Sequence, residues 1–100
     1  MIPESLKQAR TPQAFLQEAL YNYPTIETED GDTYTGTLNN KGLRHGYGLV
    51  IFKEGGFYIG EWQDDFAQGQ GLHVEHDNTV SEGTWKHNML HGKAKLTHPD

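Results

Sequence analysis

The sequence lacks cysteine, long apolar runs and any excess of positive charge. Without cysteine there are no disulfide bonds and no zinc sites built on thiolates, which agrees with an intracellular protein. A transmembrane helix needs about 20 apolar residues, and no run approaches that length. The first four residues, 1–4, have neither the basic nor the apolar part of a signal peptide. We therefore expect an intracellular protein that is not secreted.

The net charge of −6 argues against a surface built to bind phosphate groups. Lysine and arginine are spread along the chain and outnumbered by acidic residues. Stable binding to a lipid surface usually needs clustered basic residues or a lipid anchor, and the sequence has no such cluster. We expect no nucleic-acid partner, and the composition does not favour a membrane.

Groups that would carry catalysis are also missing. The chain has no Gly-x-Ser-x-Gly elbow, no phosphate-binding loop and no Cys-His pair. Among the six histidines, His73 and His76 are three residues apart on a predicted strand and so point to opposite faces. We predict a protein that is not an enzyme, with no cofactor and no metal site.

Glycine and aromatic residues are plentiful, whereas apolar residues make up only 34% of the chain. This composition favours short, tightly turned strands with aromatic faces over a helical bundle. One hundred residues are enough for one domain with a thin core.

One strand pattern occurs three times. Its copies are Tyr34-Thr35-Gly36-Thr37-Leu38, Tyr58-Ile59-Gly60-Glu61-Trp62 and Ser81-Glu82-Gly83-Thr84-Trp85, and their glycines are 24 and 23 residues apart. A second series, His45-Gly46, Gln68-Gly69 and His91-Gly92, keeps a spacing of 23 residues. The first copy carries one extra residue around 39–44. Such a period predicts a repeat architecture.

Each repeat is predicted to contain a β-hairpin. The hairpins pair 25–29 with 33–38, 47–53 with 56–62 and 70–75 with 79–85, with turns at Asp30-Gly31, Gly55-Gly56 and Asp77-Asn78. Alternation places Tyr58, Gly60 and Trp62 on one face and Ile59 on the other. The glycine between the aromatic residues would let a neighbouring ring or backbone approach closely.

The first 24 residues do not join the repeat, and we predict a helix at about 12–21, followed by the repeats over 25–100. Thr11-Pro12 is a helix start signal. Phe15 and Leu20 belong to an apolar stripe that needs a partner surface. The helix is expected either to cap the open end of the sheet or to dock another protein.

The linked copies resemble the MORN (membrane occupation and recognition nexus) repeat, over about residues 25–100. The resemblance implies a mainly β fold, an elongated single antiparallel sheet of about three stacked hairpins with an N-terminal α-helix. It also implies a scaffold or a peptide-binding surface, in the cytoplasm or in the cytoskeleton or cilium. Leu38, Gln68 and Ser81 depart from the pattern, so we expect the third repeat to have a looser face.

We expect residues 93–97 to lack a return strand, which would leave backbone groups free to pair. Lys93 and Lys95 could protect this edge, or a strand from a partner or a second copy could pair with Lys93 to Thr97 and so form a homodimer.

We hypothesise a scaffold or assembly subunit that binds other proteins in a larger complex. The alternatives are a freestanding peptide-binding adaptor that uses its aromatic-glycine groove and, less favoured, a phospholipid-binding module. The candidate partner-binding residues are Tyr34, Leu38, Tyr58, Trp62, Trp85, Phe15 and Leu20.

Overall fold

A computed structural model of the chain describes residues 14–17 and 22–99. Seven antiparallel strands form one open sheet, in which the spatial order follows the sequence. The strands are β1 (Thr25–Glu27), β2 (Thr33–Leu38), β3 (Arg44–Ile51), β4 (Gly56–Gln63), β5 (Phe66–Glu75), β6 (Val80–Lys86) and β7 (Met89–Thr97). Residues 14–17 are helical. The predicted fold class, a single antiparallel sheet with an N-terminal helix, is confirmed.

The three predicted hairpins are present as β1–β2, β3–β4 and β5–β6. Their turns lie where the sequence placed them, and strands β3, β5 and β7 begin earlier than predicted. The segments between hairpins, expected only as links, are themselves hairpin turns. The turn after β4 has Asp64 and Asp65 at positive φ, and the turn after β6 has His87 and Asn88 at positive φ. Two successive residues of this kind form the turn that matches the twist of a β-hairpin.

The first repeat carries the extra residue that the spacing predicted. The paired residues Leu38 and Arg44, on either side of its loop, are six positions apart, whereas the equivalent pairs Trp62–Ala67 and Trp85–Leu90 are five positions apart. Asn39 holds this longer loop together, because its side-chain oxygen accepts hydrogen bonds from the backbone N–H groups of Lys41 (2.9 Å) and Leu43 (3.0 Å).

A bulge recurs in every second strand. Between Gly71 and Ala67, β5 uses four residues to cover the distance that β4 covers with two, from Gly60 to Trp62. Gly69, inside this bulge, has a φ of 100°, which a residue with a side chain rarely adopts. The register also shifts in β3, where Gly46 has positive φ, and in β7, where Gly92 does. Gly46, Gly69 and Gly92 are therefore needed because each adopts a positive φ inside a bulge.

The sheet has two different apolar faces. The face that we call the ring face buries Tyr34, Val50, Tyr58, Trp62, Ala67 and Trp85. The opposite face, which we call the helix face, packs Phe15 against Ile59, with Tyr23, Tyr47, Leu49, Phe57 and Leu72 around them. This division confirms the predicted alternation, in which Tyr58 and Trp62 share one face and Ile59 lies on the other.

The helix covers a face of the sheet near its middle. The side chain of Phe15 is fully buried against Ile59 of the central strand β4, and its ring centroid lies 4.9 Å from that of Tyr47. The expectation that this helix caps an open end of the sheet is therefore wrong for the described residues, because Phe15 packs against apolar side chains on a face of the sheet. The rest of the predicted helix, with Leu20, lies outside the described residues.

Candidate partner-binding surface

Paired glycines make room for a tyrosine ring in the first two repeats. A Cβ atom on Gly48 would overlap the ring of Tyr34, and a Cβ atom on Gly71 would overlap the ring of Tyr58. Each tyrosine side chain therefore occupies the space beside the glycines of two neighbouring strands. The predicted steric role of these glycines is confirmed.

The polar ends of these rings are bonded to the backbone of their own strands. The Tyr34 hydroxyl donates a hydrogen bond to the carbonyl of Thr37 at 2.7 Å, and the Tyr58 hydroxyl donates to that of Glu61 at 3.1 Å. Burial raises the pKa of both tyrosines above the ordinary value of 10.0. Both hydroxyls are therefore neutral donors at physiological pH.

Tryptophan side chains connect each repeat to the one before it. The indole N–H of Trp62 donates to the Gly48 carbonyl at 3.2 Å, and that of Trp85 donates to the Gly71 carbonyl at 3.1 Å. The rings of Trp62 and Trp85 contact Tyr58 edge-on, with centroids 5.1 Å and 5.4 Å apart. These are favourable aromatic geometries. The stack joins consecutive repeats into one core.

The structure separates the predicted partner-binding residues into three groups. Tyr34, Tyr58, Trp62 and Trp85 come together on the ring face, and no more than 7% of any of them is exposed. Leu38 lies at the end of β2 and is 44% exposed. Phe15 is on the helix face, and Leu20 is outside the described residues.

Arg44 packs against one ring of this stack. Its guanidinium lies 4.4 Å from the centre of the Trp62 ring and donates to the carboxylate of Asp65 at 2.9 Å. Partial burial alone would raise the pKa of Asp65, but hydrogen bonds from the backbone N–H and the guanidinium of Arg44, together with its charge, lower it below 3.8. Arg44 thus both covers an aromatic ring and holds a turn of the next repeat.

Hydrogen bonds to the side chains of turn residues also join the repeats, and the sequence alone did not predict them. The Asp65 side chain accepts a hydrogen bond from the backbone N–H of Arg44 at 2.9 Å, and the Asn88 side chain accepts one from that of Ala67 at 2.7 Å. Asp65 and Asn88 are 23 residues apart, as are Arg44 and Ala67. That shared spacing was the signal that could have identified these hydrogen bonds.

His45 and Gln68, which precede Gly46 and Gly69, have a related role. The imidazole Nδ1 of His45 accepts from the backbone N–H of Asp64, and the side-chain oxygen of Gln68 accepts from that of His87, both at 3.3 Å. Because glutamine offers an acceptor at the same place, Gln68 can replace the histidine of the pattern.

The ring face becomes exposed at β7. Every residue of this strand is exposed, including Leu96 at 55% and Leu90 at 36%. Leu96 is opposite Ser81, which stands where the other repeats have tyrosine, and Leu90 is opposite Trp85. The third repeat lacks a covering ring, as the departure at Ser81 predicted.

The hairpin tips at the other end of the strands form an open acidic cleft of about 550 Å³. Its lining includes Asp30, Asp32, Glu54 and Glu75, with Phe52 and His73 on the inner side. Asp32 already accepts a hydrogen bond from the backbone of Lys53 at 2.8 Å. Within residues 14–17 and 22–99, no three His, Asp or Glu side chains are grouped so as to hold a metal ion.

Comparison with known proteins gives a consistent family. The MORN repeat profile matches residues 34–57, 58–74 and 82–100, and MORN repeats generally serve as non-catalytic modules that bind proteins or lipids. Alsin from Rattus norvegicus is 32% identical over 97 residues, which span 91% of this chain and 6% of alsin. The inactive protein tyrosine kinase pTKL from Plasmodium falciparum (isolate 3D7) is 32% identical over 63 residues, which span 63% of this chain and 4% of the kinase. The chain therefore corresponds to a small part of each relative.

No helix within the described part of the chain has the length and apolar character needed to cross a membrane.

Proposed function

Because the chain belongs to the MORN repeat family, we propose that it is a non-enzymatic scaffold or assembly subunit that binds other proteins within a larger multiprotein or cytoskeletal complex. The proposed location is the cytoplasm, or the cytoskeleton or cilium. The observation that carries the proposal is the change along the ring face. Its aromatic side chains are buried through β6, whereas β7 presents exposed Leu90 and Leu96 on this face.

Burial of the aromatic rings favours this proposal over the adaptor alternative. A peptide-binding groove would use accessible aromatic side chains as anchors. Tyr34 is 1% exposed and Tyr58 is 3% exposed, and their hydroxyl groups already have backbone partners. Binding through these rings would require the stack to open, whereas binding at β7 requires no rearrangement.

The scaffold proposal is tested by affinity capture from extracts of the source cells, with chemical cross-linking and mass spectrometry. Three baits are compared: the unaltered chain, Leu96→Ser and Ile51→Ser. Ile51 is 51% exposed and lies in β3, so Ile51→Ser is a matched control for Leu96, which is 55% exposed. We expect the unaltered chain and Ile51→Ser to capture the same set of proteins. Leu96→Ser should lose this set although it is as stable as the other two baits.

Absence of any protein above the level of an empty resin would contradict the proposed function. If Leu96→Ser captured the same set, the chain would still bind proteins, but the binding surface would lie outside β7. The lipid alternative is tested separately with neutral and phosphatidylserine-containing vesicles. Binding to the anionic vesicles that disappears at high salt would favour it over the scaffold proposal.

A further inference from the structure

The acidic cleft is lined by residues from the turns of all three hairpins, β1–β2, β3–β4 and β5–β6. These turns, residues 28–32, 52–55 and 75–79, contain six acidic residues and one basic residue, Lys53. They therefore hold most of the net negative charge of the chain, which is −6. A cleft lined by charges of one sign attracts ligands of the opposite sign. The cleft is suited to a cationic ligand.

The protein does not neutralise the carboxylates of the cleft. Among the described residues, the acidic members of ion pairs are Asp64 and Asp65, in the turn at the opposite end of the strands. Asp30, Glu54 and Glu75 therefore have no cationic partner in this part of the chain. Like charges that share one site repel each other, and a cation bound among them would relieve that repulsion.

The basic side chain closest to these carboxylates in the sequence, that of Lys53, is packed against a turn. A Cβ atom added to Gly31 would lie 2.9 Å from the Cδ atom of Lys53. The backbone N–H of Lys53 donates to the side chain of Asp32, but its ammonium group forms no ion pair with a described residue. Lys53 thus does not serve as the counter-ion of the cleft.

The inner wall of the cleft is aromatic. The rings of Phe52 and His73 meet edge-on, with centroids 5.7 Å apart and planes at 77°. Both side chains are only partly buried, and Phe52 packs against the core of the ring face, which fixes its position. The face of an aromatic ring attracts positive charge. Ring and carboxylates therefore favour the same kind of ligand.

His73 is a polar residue at a position where packing needs only an apolar one. It lies 23 residues after Val50, which occupies the equivalent position in the preceding repeat and is fully buried. The imidazole contacts Trp85 edge-on, with centroids 5.8 Å apart, but no described residue forms a hydrogen bond with its nitrogens. A neutral imidazole offers one donor and one acceptor, so His73 can also bond to a ligand in the cleft.

The opposite end of the ring face shows what an aromatic ring and a carboxylate bind in this protein. There the Arg44 guanidinium lies 4.4 Å from the centre of the Trp62 ring and donates to Asp65 at 2.9 Å. The cleft has the ring and the carboxylates without an arginine from the described residues. Arginine fits such a site better than lysine, because its planar guanidinium stacks on rings and donates two parallel hydrogen bonds to a carboxylate.

We infer that the cleft binds an arginine side chain from a basic segment of a partner protein. The guanidinium would lie against Phe52 and donate to the carboxylates of Glu54 and Glu75. The volume of about 550 Å³ leaves room for neighbouring residues of the segment. No residue of β7 lines the cleft, so this site is separate from the surface of the proposed function.

The probe for this site is a short capped peptide in which arginine alternates with serine. Two control peptides replace arginine with lysine or with citrulline, its neutral isostere. Binding to the full chain is measured by calorimetry, and NMR chemical shifts locate it. We expect saturable binding of the arginine peptide that shifts the side-chain signals of Phe52 and His73. The lysine peptide should bind about threefold more weakly, and the citrulline peptide should not bind.

A pair of aromatic variants tests the wall of the cleft. Phe52→Ala should weaken binding of the arginine peptide roughly fourfold, because the ring beside the guanidinium is lost. Phe66→Ala is the matched control, since Phe66 also meets a histidine edge-on, His87 at 5.4 Å, but at the other end of the strands. This control should leave the affinity unchanged.

A pair of charge variants tests the rim and does not disturb the core. Glu54→Gln removes an exposed carboxylate of the cleft and should weaken binding about threefold. Glu82→Gln makes the same charge change at an exposed position in β6, on the helix face, and should have no effect. Because Glu54 is in a turn, this pair keeps the test decisive even if Phe52→Ala does not fold.

Three results would overturn the inference. Equal weakening by Glu54→Gln and Glu82→Gln would show only general attraction to an acidic protein, and so would binding of the citrulline peptide at the affinity of the arginine peptide. Calcium chloride that shifts the signals of Glu54 and Glu75 where the arginine peptide does not would assign the cleft to a metal ion. Failure of the peptide to bind would leave the affinity-capture comparison of Leu96→Ser and Ile51→Ser unaffected, so the proposed function would stand.

Discussion

Replacing Gly71 with alanine should destabilise the protein through one specific contact. The added Cβ atom would overlap the ring of Tyr58. That ring is fixed by its hydrogen bond to Glu61 and by edge contacts with Trp62 and Trp85, so it cannot move without losing them. The third repeat already contains the compensated pair, since Ala94 occurs there together with Ser81, which has no ring.

The expected magnitude follows from two opposing effects. Overpacking costs about 1–3 kcal/mol, and the lower entropy of alanine in the unfolded chain returns about 0.4–1 kcal/mol. Gly71 does not have positive φ, so alanine adds no backbone strain there. The variant Gly71→Ala should lose about 1–2 kcal/mol of unfolding free energy. In a Tyr58→Ser background the clash is absent, and the same substitution should be neutral or slightly stabilising.

Urea unfolding followed by circular dichroism measures the four proteins of this double-mutant cycle. An equal cost of Gly71→Ala in both backgrounds would refute the proposed contact. If Tyr58→Ser does not fold, the reverse cycle in the third repeat is available. Ser81→Tyr should be better tolerated together with Ala94→Gly than alone.

Three further predictions concern the ring face and its end. Trp62→Ala should cost about 3–5 kcal/mol of unfolding free energy, because it removes a buried ring; an unchanged melting temperature would contradict this. Asp65→Asn should cost on the order of 1 kcal/mol at neutral pH, since its ion pair with Arg44 is partly exposed. Because the pKa of Asp65 is lowered in the folded protein, the loss of unfolding free energy in Asp65→Asn is complete above pH about 4 and disappears as the pH falls below that value. Urea unfolding of both proteins at neutral pH and at a pH below about 4 checks this. The raised pKa values of Tyr34 and Tyr58 stabilise the fold fully below pH about 10 and progressively less above it. An ultraviolet absorbance titration should therefore show at least two tyrosines ionising only together with unfolding, and ionisation of all five tyrosines in the folded state would contradict the burial.

Much of the fold could be predicted because the turns and strands of each repeat depend on residues that are close together in the sequence. The Asp30-Gly31 turn and the alternation around Gly60 follow from backbone preferences that a few neighbouring residues set. The turns at Asp64-Asp65 and His87-Asn88 were harder to identify, because neither contains the glycine that usually marks a two-residue hairpin turn. Their conformation is stabilised from outside, by Arg44 and Ala67 of the preceding repeat.

The candidate site could be predicted only in part. The sequence grouped Tyr34, Tyr58, Trp62 and Trp85, and the structure places them on one face. It could not reveal that each tryptophan reaches back to the strand of the previous repeat, because that contact depends on the register between strands. Whether an aromatic ring is a core residue or a binding anchor is decided by what lies over it.

The sequence by itself determined the repeat period, the strand directions and the two faces. These features depend on spacing and on residue types, which local sterics translate directly into strands and turns. Only the tertiary structure decided that the rings bury one another and that Phe15 lies over the central strand. It also decided that the ring face opens at β7. The physical reason is that burial depends on contacts between residues about 14 to 44 positions apart, and these contacts form only once bulges and register have aligned neighbouring strands.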